Sequence, residues 1–238
     1  MGYVALKHAL SAAALAAVDD PRLAAVVEAL ASCVSPDRAR HASHGDLGGP
    51  AGLPPDEVRR RVLATGVCVE LEGTRATALA PTHAPHAPYA ARQTARAVEM
   101  VRTLARPAPR GVAPVVWRAV VLFNVGLFFE CHEYLEGAWR TAHDADRPFY
   151  HGLIQAAAGC YHCEKGNAHG TAVLVGKAIA KLRPYAPAAH GIDVAGLLDG
   201  LAVVRDAALA EPPRLPRGRE RLPVIRLADP GTRAAAVG

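Results

Sequence analysis

FNVGLFFECHEYLEGAWR, residues 123–140, is the stretch whose reading decides the fold. Its apolar residues return every three or four positions with no strand-like alternation, so it reads as helix. Extended outward to residues 115–141, VVWRAVVLFNVGLFFECHEYLEGAWRT, the same spacing predicts one long helix. At about 100° per residue, Asn124, Phe128, Cys131, Leu135 and Trp139 share a narrow stripe. His132, Glu136 and Arg140 form the adjoining stripe, with Glu133 beside it. Glu130 projects well away from His132.

Downstream, Pro148 fits a first helical position. The following FYHGLIQAAAGCYHCEKGN, residues 149–167, reads as a second helix stopped by Gly166–Asn167. His151, Gln155, Ala158, Gly159 and His162 fall close together on its projection. Asn167 starts a helix over 168–182, and Asp193 is the N-cap of another over 194–209. Short connections make these helices antiparallel neighbours, with Gly126, Gly137, Gly152 and Gly159 marking close crossings. Hydrophobic residues are 51% of the 238 but aromatics only 5%, so the core rests on alanine-rich helices. The expected fold is mainly all-α, an antiparallel helical bundle with an N-terminal appendage of helices and one short hairpin.

Upstream, a helical pattern breaks near Pro21 and resumes through Leu23, Val26, Val27 and Leu30. Residues 35–55 carry the Pro, Gly and small polar composition of an exposed loop. A short helix over 56–65 carries Arg59, Arg60 and Arg61 and precedes an alternating run with a turn at Gly73–Thr74, which reads as a hairpin. Helix, helix, hairpin is a winged-helix-like order. The three arginines either approach a phosphate backbone or cover a solvated face. Pro81, Pro85 and Pro88 make 81–90 an extended linker, and His83 and His86 within it lack neighbouring ligands. The expected organisation is a 1–90 appendage, a 91–210 bundle and a 211–238 Pro/Arg-rich tail, with 222–227 docking as an extended segment and disorder beyond Asp229.

A net charge of +5 with no basic stripe allows weak steering toward anions without implying a nucleic-acid groove. No run of about 18 uncharged apolar residues suggests a membrane span. The five cysteines, Cys33, Cys68, Cys131, Cys160 and Cys163, are odd in number and irregular in spacing, which fits a reduced, cytoplasmic protein. Cys160 and Cys163 lie too late in their helix for a dipole-activated thiol and read as small buried side chains.

HEYLE at 132–136 places His132 and Glu136 one helical turn apart, a spacing that can ligate one divalent ion. With His162 from the next helix the set becomes His132, Glu136 and His162. The imidazoles favour zinc, manganese or iron over calcium. Glu133 or Glu130 would then handle a proton, and Arg140 would stabilise an anion. Asn124, His151 and Gln155 are additional polar candidates. The competing reading uses the same groups as a buried His/Glu/Arg network that closes a polar layer between helices.

FNVGLFFECHEYLEGAWR, then FYHGLIQAAAGCYHCEKGNAHG and KLRPYAP…GID, resembles a small all-helical bacterial and archaeal family, domain-of-unknown-function family 309. The resemblance covers about residues 115–210. It implies a compact helical bundle whose polar signature falls on Asn124, Glu130, His132, Glu133, Glu136, Trp139, Arg140, Gln155, His162 and Asn167, and it carries no established activity. Cys131 and His151 depart from the family pattern. The leading expectation is a structural or interaction role for the polar network, with a metal-dependent hydrolase or other metal-binding enzyme second. Nucleic-acid binding through the appendage comes third. A small molecule, a protein and a second copy of the chain all remain open as partners.

Overall fold

The computed structural model describes residues 2–35 and 52–228. Most of the 35–55 connector and the tail beyond 228 lie outside them. The chain divides into two compact units, Met1–Pro107 and Ala108–Gly238. Both are built mainly of helix, with two small two-stranded sheets among the described residues.

The first unit runs α1 (Tyr3–Asp19), α2 (Ala24–Val34), α3 (Pro55–Ala64), β1 (Cys68–Glu70), β2 (Thr77–Leu79) and α4 (Ala87–Leu104). Its core joins Leu6 and Leu10 of α1, Val26 and Leu30 of α2, and Val58 and Val62 of α3, the i, i+4 spacing of helices that bury one face. The hairpin is antiparallel, with Val69 opposite Ala78. A disulfide joins Cys33 at the end of α2 to Cys68 at the start of β1. This corrects the expectation that all five cysteines are thiols: packing brings together two residues that are 35 apart in sequence.

The 81–90 segment is also not an extended linker. Pro81–His86 forms a 3₁₀ turn that leads directly into α4, and His83 is buried within it. Prolines near the start of a helix cost nothing there, because the first amides have no intrahelical acceptor. The buried face of α4, including Ala90, Ala97 and Met100, packs with α1 and α2. The first unit therefore extends to Pro107, past the break near residue 90 that the prolines suggested.

The second unit contains α5 (Pro114–Asn124), α6 (Phe128–Thr141), α7 (Arg147–Glu164), α8 (Ala168–Leu182), β3 (Ala188–Ala189), β4 (Ile192–Asp193) and α9 (Val194–Leu209). The single helix expected over 115–141 is two. Gly126 sits at φ +83°, and the chain leaves α5 through paired hydrogen bonds, Gly126 N–H to Phe123 O and Leu127 N–H to Leu122 O. That is a Schellman ending, which favours glycine because an L side chain is strained at positive φ. α7 ends the same way at Gly166, and Asn167 then caps α8 by accepting from Gly170 N–H. Asp193 caps α9 in the same manner through Gly196 N–H. The order of packing is α6 on α7, α7 on α8 and α8 on α9.

Gly152 and Gly159 mark helix crossings. A Cβ added at Gly152 would lie 2.7 Å from Leu182 Cγ, and one at Gly159 would lie 2.6 Å from Val175 Cγ2, whereas Gly137 faces open space and Gly126 serves the turn.

The segment around 222–227 docks as expected. Leu222 and Ile225 are buried, and Asp193 N–H donates to Arg226 O. Asn124 clamps this segment: its Nδ2 donates to Ile225 O and its Oδ1 accepts from Ile225 N–H, both at 2.8 Å. Asn124 therefore holds the tail and, ending α5, shares no helix with His132. Asn124→Ala is expected to cost about 2 kcal/mol, since two part-buried hydrogen bonds are lost and a backbone pair is left open. Urea unfolding measures the cost, and limited proteolysis should cut first within 211–228. An unchanged midpoint and cutting pattern would rule out the clamp.

Candidate functional site

α6 carries most of the residues singled out from the sequence. Its buried face is Phe128, Glu130, Cys131 and Leu135. On the other side His132 lies between two carboxylates of its own helix, with Nδ1 3.1 Å from Glu133 Oε1 and Nε2 3.5 Å from Glu136 Oε1. Glu136 Oε2 in turn accepts from Arg140 Nη2 at 3.3 Å. The ribbon His132, Glu133, Glu136, Arg140 is partly exposed, from 28% for the His132 side chain to 71% for Arg140.

This corrects the expected buried layer between helices. Among the described residues, every side-chain hydrogen bond and ion pair of these four goes to a neighbour on α6 itself. The i, i+4 spacing explains why, since one turn brings each charge to the next before any other helix is needed. What joins α6 to α7 is apolar and aromatic: Leu135 is fully buried, Phe129 meets the Tyr161 ring at 6.0 Å and Trp139 meets the His151 ring at 5.6 Å.

His162 is engaged elsewhere. Its Nδ1 accepts from Asn167 Nδ2 at 2.9 Å, an orientation fixed because Asn167 Oδ1 already accepts from Gly170 N–H. The imidazole thus seals the α7–α8 corner. Among the described residues no group of three or more His, Cys, Asp or Glu side chains is placed to hold one metal ion, so the expected set His132, Glu136 and His162 is not assembled. Glu130 is buried in the first turn of α6, where the free amides of a helix start favour a carboxylate; it does not share the ribbon of Glu133 and Arg140.

Cys131, Cys160 and Cys163 are free and buried. Burial pushes all three thiols up, Cys163 to about 11 with a contribution from Glu164. Thiolate chemistry at neutral pH is disfavoured, in line with their reading as small core side chains.

A second cluster lies across α6, α7 and α8. Gln155 is buried, and its Nε2 donates to His151 Nε2 at 3.3 Å, which leaves the His151 proton on Nδ1. Gln155 Oε1 is buried without a hydrogen-bond partner. Arg147 lies over the outer Trp139 ring at 5.8 Å. Burial first, then Lys181 and Lys177 of α8, hold the His151 imidazole below the ordinary histidine value. The sequence pointed to His151 and Gln155 but not to the two lysines. The available signal was the composition of α8, whose fifteen residues include no Asp or Glu.

The depressed value sets the sign of a pH effect. The unfolded chain binds a proton at His151 more readily than the folded chain, so this contribution to stability is complete above the ordinary value and is lost as pH falls through the folded one. His151→Gln should therefore flatten the fall in melting temperature between about pH 7 and pH 5. Parallel melting curves for the two proteins at every pH would contradict the assignment.

In the first unit each of the three arginines pairs with a carboxylate, two of them sharing one. Arg59 pairs with Glu70, Arg60 and Arg61 pair with Glu57, and Arg75 pairs with Asp56.

The family model described as Domain of unknown function (DUF309) matches residues 116–174. That segment runs from α5 through α6 and α7 into α8, and it contains the ribbon, His151, Gln155, His162 and Asn167. It is the family that the sequence resembles, matched over a part of the second unit. No curated protein and no solved structure matches the chain. No helix among the described residues is long and apolar enough to cross a membrane.

Proposed function

We propose that the second unit is an interaction domain, with the α6 ribbon of His132, Glu133, Glu136 and Arg140 as its recognition surface. One observation carries this reading: four ionisable side chains gather on an accessible helix face and, among the described residues, make no side-chain bond to another helix. Exposed ion pairs of this kind contribute little to stability, typically under about 1 kcal/mol each. The bundle is held by other residues, which leaves the ribbon free to set the charge pattern that a partner meets.

The test is proximity crosslinking of the natively expressed chain, compared with Glu133→Lys/Glu136→Lys. Reversal of the two charges should remove a reproducible crosslinked species while the circular dichroism spectrum is preserved. An unchanged crosslinking pattern would count against the ribbon. The metal-dependent enzyme reading predicts instead a stoichiometric divalent ion that is lost in His132→Ala/His162→Ala. It is less supported because His162 is committed to Asn167. Nucleic-acid binding through Arg59–Arg61 is weakened by their carboxylate partners; salt-dependent affinity for duplex DNA, abolished by alanine at those positions, would restore it.

A further inference from the structure

Residues 222–227 lie on the second unit as an extended strand, and most of the bonds that hold them address the main chain. Besides the two bonds from Asn124 to the Ile225 backbone, Asp193 N–H donates to Arg226 O and Ala228 N–H donates to Gly191 O. Leu227 thereby pairs antiparallel with Ile192, and the segment adds a strand to the edge of β4. Main-chain bonds of this kind seat any extended segment, and the side chains that the seat admits decide which one. Leu222, Pro223 and Ile225 are buried, whereas Val224, Arg226 and Leu227 are exposed. Pro223 fits against α9 at Gly200, where an added Cβ would lie 3.1 Å from Pro223 Cβ. Ahead of the strand, Arg219 Nη2 donates to Asn124 O at 2.6 Å and to Phe123 O at 3.4 Å, the carbonyls that end α5. Its guanidinium lies 5.6 Å from the centre of the Phe128 ring.

Seat and occupant come from different parts of the chain. Phe123, Asn124 and Phe128 belong to the segment that the family model matches, residues 116–174, and Gly191, Asp193 and Gly200 complete the seat. The occupant follows α9 after a connector that is exposed from Glu211 to Arg214 and again at Arg217 and Gly218. A segment tethered in this way behaves as a ligand held at an effective concentration on the order of millimolar.

We propose that this seat is a peptide-binding groove. Its ligand is an extended segment of a partner protein with leucine, proline and isoleucine at the spacing of Leu222, Pro223 and Ile225, and the chain's own residues 219–227 fill the groove in cis as a built-in competitor. The groove is separate from the α6 ribbon and stands whether or not that ribbon engages a partner. A partner segment enters only by displacing the tail.

Fluorescence anisotropy of the full chain with a labelled synthetic peptide of residues 217–228, RGRERLPVIRLA, tests this. Leu222→Asp/Ile225→Asp in the chain frees the groove without altering it and should bind the peptide at least tenfold more tightly than the wild type, whose tail competes. Asn124→Ala added to that variant should weaken the peptide at least tenfold, and a peptide carrying the same two aspartates should not bind. If the double variant does not fold, the wild-type chain cut at a protease site inserted within residues 211–214 takes its place. The cut tail should stay bound to the body and exchange for an excess of labelled peptide, with the circular dichroism spectrum preserved. A folded double variant that takes up no peptide, or a cut chain that never exchanges its tail or unfolds as the tail leaves, would show the segment to be part of the bundle and overturn the proposal. Dimerisation of the wild type that the two aspartates abolish would place a second copy's tail in the groove and overturn its occupancy in cis.

Discussion

Removing the Cys33–Cys68 bond by Cys33→Ser/Cys68→Ser is expected to lower the stability of the first unit by about 4 kcal/mol. The figure follows from the chain entropy that a cross-link spanning 35 residues takes from the unfolded state. For a unit of this size the loss corresponds to roughly a 15 °C fall in its melting temperature. The bond ties the end of α2 to the start of β1, between Val34 and Val67 of the same core. Reductant added to the wild-type chain should reproduce the effect, while the double variant should no longer respond to it. Calorimetric scans of both proteins, with and without reductant, provide the measurement. If the wild-type transition does not move under reduction, the two sulfurs are not joined in the folded protein.

Gly159→Val is expected to destabilise the second unit by about 3 kcal/mol, because α7 and α8 cross at that glycine without room for a side chain. The first carbon alone would meet Val175 Cγ2 at 2.6 Å and the Val175 backbone nitrogen at 3.1 Å. The methyl could rotate away, but the nitrogen belongs to a helix and moves only if α8 does. Gly137 is the internal control. It is helical, with nothing within 4 Å of an added Cβ, so Gly137→Ala should stabilise by up to about 1 kcal/mol through helix propensity alone. Urea denaturation of the two variants decides the matter. Similar small effects at both glycines would show that the crossing is looser than described.

These two glycines illustrate what a single sequence conveys. Their helical setting was legible, but whether a glycine faces a neighbour depends on which helix lies across from it. Local signals carried further. Helix bounds of 168–182 and 194–209 follow from Asn167 and Asp193, because a capping side chain bonds amides two or three residues away and needs no tertiary partner. The break between α5 and α6 was missed because one glycine inside an apolar run is compatible with a continuous helix; its positive φ is not visible in composition.

The site shows the same division. Periodicity placed His132, Glu136 and Arg140 on one face, and they are there. It could not say whether that face meets a second helix, and it does not. His162 lay on the expected polar side of α7, yet the tight α7–α8 corner at Gly170 claims it for Asn167. The disulfide was hidden by an odd cysteine count and a long separation. Gln155 as a buried acceptor without a donor emerges only from three-dimensional packing.

The most direct test concerns the α6 ribbon, whose side chains bond only one another. Glu133→Gln/Glu136→Gln/Arg140→Gln should retain the wild-type unfolding free energy within about 1 kcal/mol, as expected for exposed pairs. Leu135→Ala in the same helix, at a fully buried position, should cost about 2–5 kcal/mol. Equilibrium urea unfolding of the three proteins gives both values. A loss of 3 kcal/mol or more in the triple variant would show that the ribbon holds the bundle together, and would contradict its assignment as a recognition surface.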